Sequence, residues 1–146
     1  MRLKLGGLIF LLLQISSGSS GQDCNNYEKR CPDPHKSFKL SATSRSFAFK
    51  KGSKTIIAFN AMGGRDYFIS VCGQGKVEDV QFKIISGENE NKKTLYDNSA
   101  KGFSPQKIIS MSSTQKIFIE VTSPKTKLEK DDRECGGIKI AYRNTP

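Results

Sequence analysis

Tryptophan is absent from the 146-residue chain, histidine occurs once, and no apolar run after residue 13 approaches the roughly 20 residues that a membrane helix needs. Each lack excludes something. With no tryptophan, an aromatic platform for a sugar ring is hard to build. With His35 alone, a Ser-His-Asp hydrolase has one choice of base. His35 lies between Pro34 and Lys36, and no Gly-x-Ser-x-Gly elbow accompanies it, so it reads as a solvated loop residue. No Gly-x-x-x-x-Gly-Lys phosphate loop is present, and no pattern asks for a cofactor. N-x-Ser/Thr glycan acceptors are missing as well, which fits a bacterial origin.

What is present begins with an export signal. Arg2 and Lys4 precede the apolar run Leu8–Leu13, and small residues follow from Ser16 to Gly21. Cleavage before Gln22 is expected. A lipid anchor on Cys24 is the rival, but Gly-Gln-Asp before that cysteine lacks the apolar residue such signals carry. The protein is therefore expected to be secreted or periplasmic, with no transmembrane segment after cleavage. Residues 22–35 read as an N-terminal arm and 36–146 as one β-domain. Removing Arg2 and Lys4 leaves 22 basic against 14 acidic residues, a formal charge of +8.

The four cysteines, Cys24, Cys31, Cys72 and Cys135, are an even number in an exported chain and imply two disulfides. Three pairings are possible. Cys24–Cys31 with Cys72–Cys135 is favoured, because the first two are close in a Pro/Asn-rich segment and the second two would tie a central strand to the last. Intervening lengths of 6, 40 and 62 residues do not match a zinc ribbon, and no metal site is expected from them.

From Lys36 onward the apolar pattern has period two. Phe38, Leu40 and Ala42 share one face. Phe47 and Phe49 follow, then Lys54–Asn60, Asp66–Cys72 and Val80–Ile84. Thr94–Tyr96 is short. Lys107–Met111 and Lys116–Thr122 flank Ser112-Ser113-Thr114 as a hairpin would. Ile138–Arg143 closes the chain after a long charged loop from Pro124 to Gly137. About nine short strands and no convincing helix predict an antiparallel two-sheet β-sandwich of jelly-roll or Greek-key type. Each sheet is expected to keep one wet face, with Ile56-Ile57 and Ile117-Phe118-Ile119 as central strands or a small exposed apolar patch. The strand rhythm resembles CUB-like extracellular modules and the β-sandwiches appended to secreted bacterial peptidases. The resemblance is one of architecture, since the cysteines do not follow the adjacent-pair spacing of a CUB domain.

Candidate chemistry is sparse. Asp66, Asp79, Asp97 and Glu120 are the carboxylates from which a glycosidase pair would be drawn. Glu129, Asp131, Asp132 and Glu134 crowd one loop and form the candidate Ca²⁺ set, although interleaved lysines and Arg133 oppose a cation. The 34–65 stretch holds seven basic residues and no acidic one. Lys39, Lys50, Lys51 and Lys54 are taken from it as an anion-binding patch for a glycan or cell surface. Lipid head groups and nucleic acid are other anions, but no nucleic-acid signature is present. The leading expectation is a non-enzymatic binding or structural module. The alternative is a secreted hydrolase or a protease-inhibitor-like domain presenting Lys125–Arg133 or Gly87–Lys92.

Overall fold

The computed structural model describes residues 23–77, 79–125 and 127–146. The export signal expected at 1–21 lies outside them. Nine strands form: β1 (Lys39–Leu40), β2 (Arg45–Phe49), β3 (Lys54–Ala61), β4 (Arg65–Gly73), β5 (Gln81–Ser86), β6 (Lys93–Asp97), β7 (Gln106–Met111), β8 (Gln115–Thr122) and β9 (Glu134–Asn144). Two antiparallel sheets result. The first has the order β1-β9-β4-β7, with β2 continuing the β1 edge along β9, and the second runs β3-β8-β5-β6. From β2 on, every connection except β5–β6 crosses between sheets, which is the jelly-roll winding. Among the described residues, no helix is long and apolar enough to cross a membrane.

Period-two side chains build the interlayer core. Tyr67, Ile69 and Val71 of β4 and Ile138 and Ile140 of β9 face Phe82 and Ile84 of β5 and Ile117, Ile119 and Val121 of β8. Phe49 joins them at 2% exposure, with Phe47 packed edge-on to it.

The expected hairpin at 112–114 is not one. β7 pairs with β4 in the first sheet and β8 with β3 and β5 in the second, so the turn arches across the core. Alternation fixes which face a residue occupies, not which strand lies beside it. Leu40 also departs from expectation and is 65% exposed, because β1 ends there while Phe38 folds onto Phe68 and Ala141. β8 is central as expected, whereas β3 is an edge.

The first sheet has no wet face at β4 and β9. The arm crosses it, and Gly137 makes this possible. A Cβ there would lie 2.5 Å from Glu28 Cα, and one at Gly136 would lie 2.5 Å from the Phe49 ring. This is why β9 begins at Glu134, within what reads as loop. Lys139, on the face expected to be solvated, is 3% exposed. Its ammonium donates to the carbonyls of Lys29 (3.2 Å) and Cys31 (2.7 Å) and to the Asp33 carboxylate (2.6 Å).

The disulfides correct the favoured pairing. Cys24 bonds Cys135 and Cys31 bonds Cys72, each with Cα atoms 5.2 Å apart. Cys72 and Cys135 sit on neighbouring central strands, and the arm lies over both, so each takes one arm cysteine. The bond to Cys135 also consumes the thiol that a lipid anchor on Cys24 requires.

Candidate functional site: a braced loop at the cystine end

Both disulfides attach at one end of the sandwich. Strand directions bring four connections there: 50–53, 74–80, 98–105 and 123–133. The other end carries 62–64, 87–92 and 112–114. The two loops expected to serve an inhibitor are therefore separated, with 125–133 at the cystine end and 87–92 at the far end.

The 98–105 loop is organised from beneath. Asn98 is fully buried, and its carboxamide accepts from the Phe82 amide (2.8 Å) and donates to the carbonyls of Val80 (2.9 Å) and Ser104 (3.1 Å). One side chain thus joins the 74–80 and 98–105 connections. Asp97 caps the loop's 3-10 turn by accepting from the Ser99 amide (3.0 Å) and hydroxyl (2.7 Å). Burial alone would raise the Asp97 pKa, but these bonds, those from Gln81 and the nearby Lys83 ammonium hold it below the usual carboxylate value.

At the tip, Gly102 and Phe103 both adopt left-handed backbone, with φ of 62° and 56°. Their amides both donate to the Asn98 carbonyl. Glycine accepts that conformation freely. For phenylalanine it costs on the order of 1–2 kcal/mol, so the surrounding bonds must over-determine it. Asp79, across from the tip, is also left-handed at 47°. Lys125 links the two, with its ammonium 2.9 Å from Asp79 and 5.5 Å from the centre of the Phe103 ring. Between them opens a cleft of about 410 Å³, lined by Pro32, Cys72, Asp79, Val80, Phe103 and Pro105 among others. Backbone strain at Phe103, facing this cleft, is the kind of feature that gathers at binding sites.

The carboxylates expected to pair for glycoside chemistry are dispersed among separate cations. Asp66 meets Arg143 at 3.0 Å, Asp79 meets Lys125, Asp97 meets Lys83 at 3.6 Å, and Glu120 meets Lys54 at 3.0 Å. Asp66 is buried, and hydrogen bonds from Ser110 and Arg143 lower its pKa despite burial. His35 is exposed and exchanges local hydrogen bonds with Ser37.

In the candidate Ca²⁺ loop, Asp132 turns to accept from the Lys76 ammonium and the Glu129 amide, and its pKa is lowered for that reason. Among the described residues, no three His, Cys, Asp or Glu side chains converge as metal ligands. The lysine patch divides. Lys39 pairs in register with Tyr142, whereas Lys50 follows Phe49, which is in register with Glu134. Eight β9 residues separate those positions, about 26 Å along the sheet. Lys50, Lys51 and Lys54 remain together at the cystine end.

Asn98, Phe103 and Lys139 were not legible as important. The sequence shows Asp97-Asn98-Ser99 as a turn and Gly102–Pro105 as a break. An aromatic residue inside a break is the one signal that could have singled out Phe103.

No protein family model matches the chain, and no curated protein matches it. Among solved structures, it is similar to Aeromonas hydrophila PliG, a periplasmic lysozyme inhibitor of g-type lysozyme. The TM-score is 0.54 at 10% identity, covering 77% of this chain and 93% of that one. At such identity the likeness establishes a shared β fold.

Proposed function

We propose that this chain is a periplasmic or secreted, non-enzymatic binding domain of the inhibitor type, which presents the 98–105 loop and its adjoining cleft to a protein partner. One observation carries the reading: Phe103 sits in an unfavourable backbone conformation, its amide bonded to the carbonyl of buried Asn98, whose side chain holds Ser104, beside the Asp97 cap and the Lys125 bridge. A loop already fixed in its bound shape loses little conformational entropy on association, which is how rigid inhibitors gain affinity. Separate ion-pairing of the candidate carboxylates favours binding over acid–base catalysis. Disulfides persist outside the reducing cytosol, in keeping with an exported binder.

The partner class is a secreted hydrolase. The similar fold of a g-type lysozyme inhibitor makes g-type lysozyme the first target to test. Titrating the processed protein into a g-type lysozyme digest of bacterial cell walls should stop lysis near equimolar ratio. A Phe103→Ala variant, with an unchanged melting temperature, should need at least tenfold more protein. Undiminished lysis at large excess of the wild-type protein removes this target. Equal potency of the variant removes the loop from the interface.

A second reading rests on exposed Lys50 and Lys51 beside Lys54, which could hold an anionic glycan. A Lys50→Glu/Lys51→Glu/Lys54→Glu variant should elute from heparin at lower salt, and unchanged retention would dismiss the patch.

A further inference from the structure

The jelly roll leaves four sheet edges, and three are guarded. The β1/β2 edge is interrupted at 41–44 and resumes on Arg45. β6 is short, carries Lys93 and Asp97, and meets β5 through a register shift at Ile84/Ile85. β7 carries Lys107 and follows Pro105. Charges, bulges, prolines and short length are the usual devices against edge-to-edge pairing. β3 has none of them over seven residues. Thr55 to Ala61 reads Thr-Ile-Ile-Ala-Phe-Asn-Ala, uncharged and regular, in a chain that is 26% charged.

The solvent face beside this edge carries an apolar strip between charged residues, with the Lys92 and Lys116 ammoniums 5.0 and 5.7 Å from the centre of the Phe118 ring. Ile56 is 56% exposed and Ala58 is exposed. Ala58 lies in register with Phe118, and Phe118 with Ile85, so an apolar strip runs from the edge across three strands. The one cation at the start of the edge, Lys54, is met by Glu120 of the same chain.

We propose that the occupant of this edge is a second copy of the chain, paired antiparallel through β3. The sequence is self-complementary in that arrangement. With Ile57 on the twofold axis, Ile56 of each copy lies opposite Ala58 of the other, and Lys54 lies opposite Asn60, so no like charges meet. The two apolar strips become continuous across the axis, and the second sheets join into one of eight strands. Antiparallel pairing directs the two cystine ends oppositely, leaving both 98–105 loops open. The proposal does not depend on what those loops bind.

Sedimentation equilibrium of the processed wild-type protein over a broad concentration range tests it. Mass should rise from monomer to dimer and stop there. An Ile56→Lys/Ala58→Lys variant, whose changes lie on exposed or edge positions, should remain monomeric, shifting the dissociation constant at least a hundredfold with circular dichroism unchanged. Should that variant fail to fold, hydrogen exchange of the wild type decides: β3 backbone amides should slow as concentration rises, while β6 and β7 amides do not. A wild-type monomer throughout, a dimer unaffected by the two lysines, or concentration-independent β3 exchange would each overturn the proposal.

Discussion

Asn98 shows how one side chain can set the form of a surface. Its carboxamide saturates three backbone groups, one on β5 and one on each of two connections, and it does so at zero exposure. Replacing it with alanine leaves a buried amide and two carbonyls without partners, at a cost of about 1–3 kcal/mol for a buried polar group. Asn98→Ala should therefore lower unfolding free energy by about 3 kcal/mol, read from the urea midpoint at constant slope. A loss under about 1 kcal/mol would mean that water replaces the carboxamide without penalty.

Asp66 makes a second argument at this scale. Ser110 and Arg143 depress its folded pKa below its value near 4 in the unfolded chain. A depressed carboxyl contributes stability that is complete above the unfolded pKa and is lost as pH falls through the folded one. Stability should thus decline below about pH 4, and Asp66→Asn should flatten that decline in urea unfolding measured at successive pH values. Equal acid slopes for both proteins would show that Asp66 does not govern it.

Elements were legible to different depths. The nine strands appear in the sequence because alternation such as Val80, Phe82 and Ile84 states directly that one face is buried. Their partners do not appear: Lys107–Met111 and Lys116–Thr122 look like a hairpin, yet they sit in opposite sheets. β9 starts at Glu134, inside the stretch that reads as a charged loop, and Gly136 and Gly137 serve close approach to Phe49 and to the arm. Lys139 followed the polar alternation faithfully, but the face it points to is roofed by the arm. The cysteine pairing failed for the same reason, since nothing in residues 22–35 announces that they lie across β4 and β9. The consequence is measurable. The two bonds close separations of 111 and 41 residues, for which chain-entropy estimates are about 5 and 4 kcal/mol. Removing either pair as Cys→Ser should cost about 2–5 kcal/mol, read from denaturant unfolding. Peptide mapping under non-reducing conditions should recover Cys24 with Cys135 and Cys31 with Cys72, and recovery of a Cys24–Cys31 peptide would refute the roofed sheet.

At the scale of the molecule, the two ends are chemically unlike. One end gathers both disulfides, the buried Asn98, the left-handed Phe103 and the cleft beside it. The other carries the short turns 62–64 and 112–114 and the 87–92 loop. Composition alone does not reveal this division, because only strand direction sorts the connections. It is also why the basic stretch 34–65 is not gathered in one place: its strands run the length of the sandwich and carry Lys39 away from Lys50. The account depends on the 98–105 loop being fixed before any partner arrives. Hydrogen exchange of the free protein measures this most directly. The Phe103 amide, 2.9 Å from the Asn98 carbonyl, should exchange as slowly as the neighbouring strand ends in the wild type, and orders of magnitude faster in Asn98→Ala. Exchange of residues 99–104 at the rate of an unstructured peptide in the wild-type protein would contradict the account.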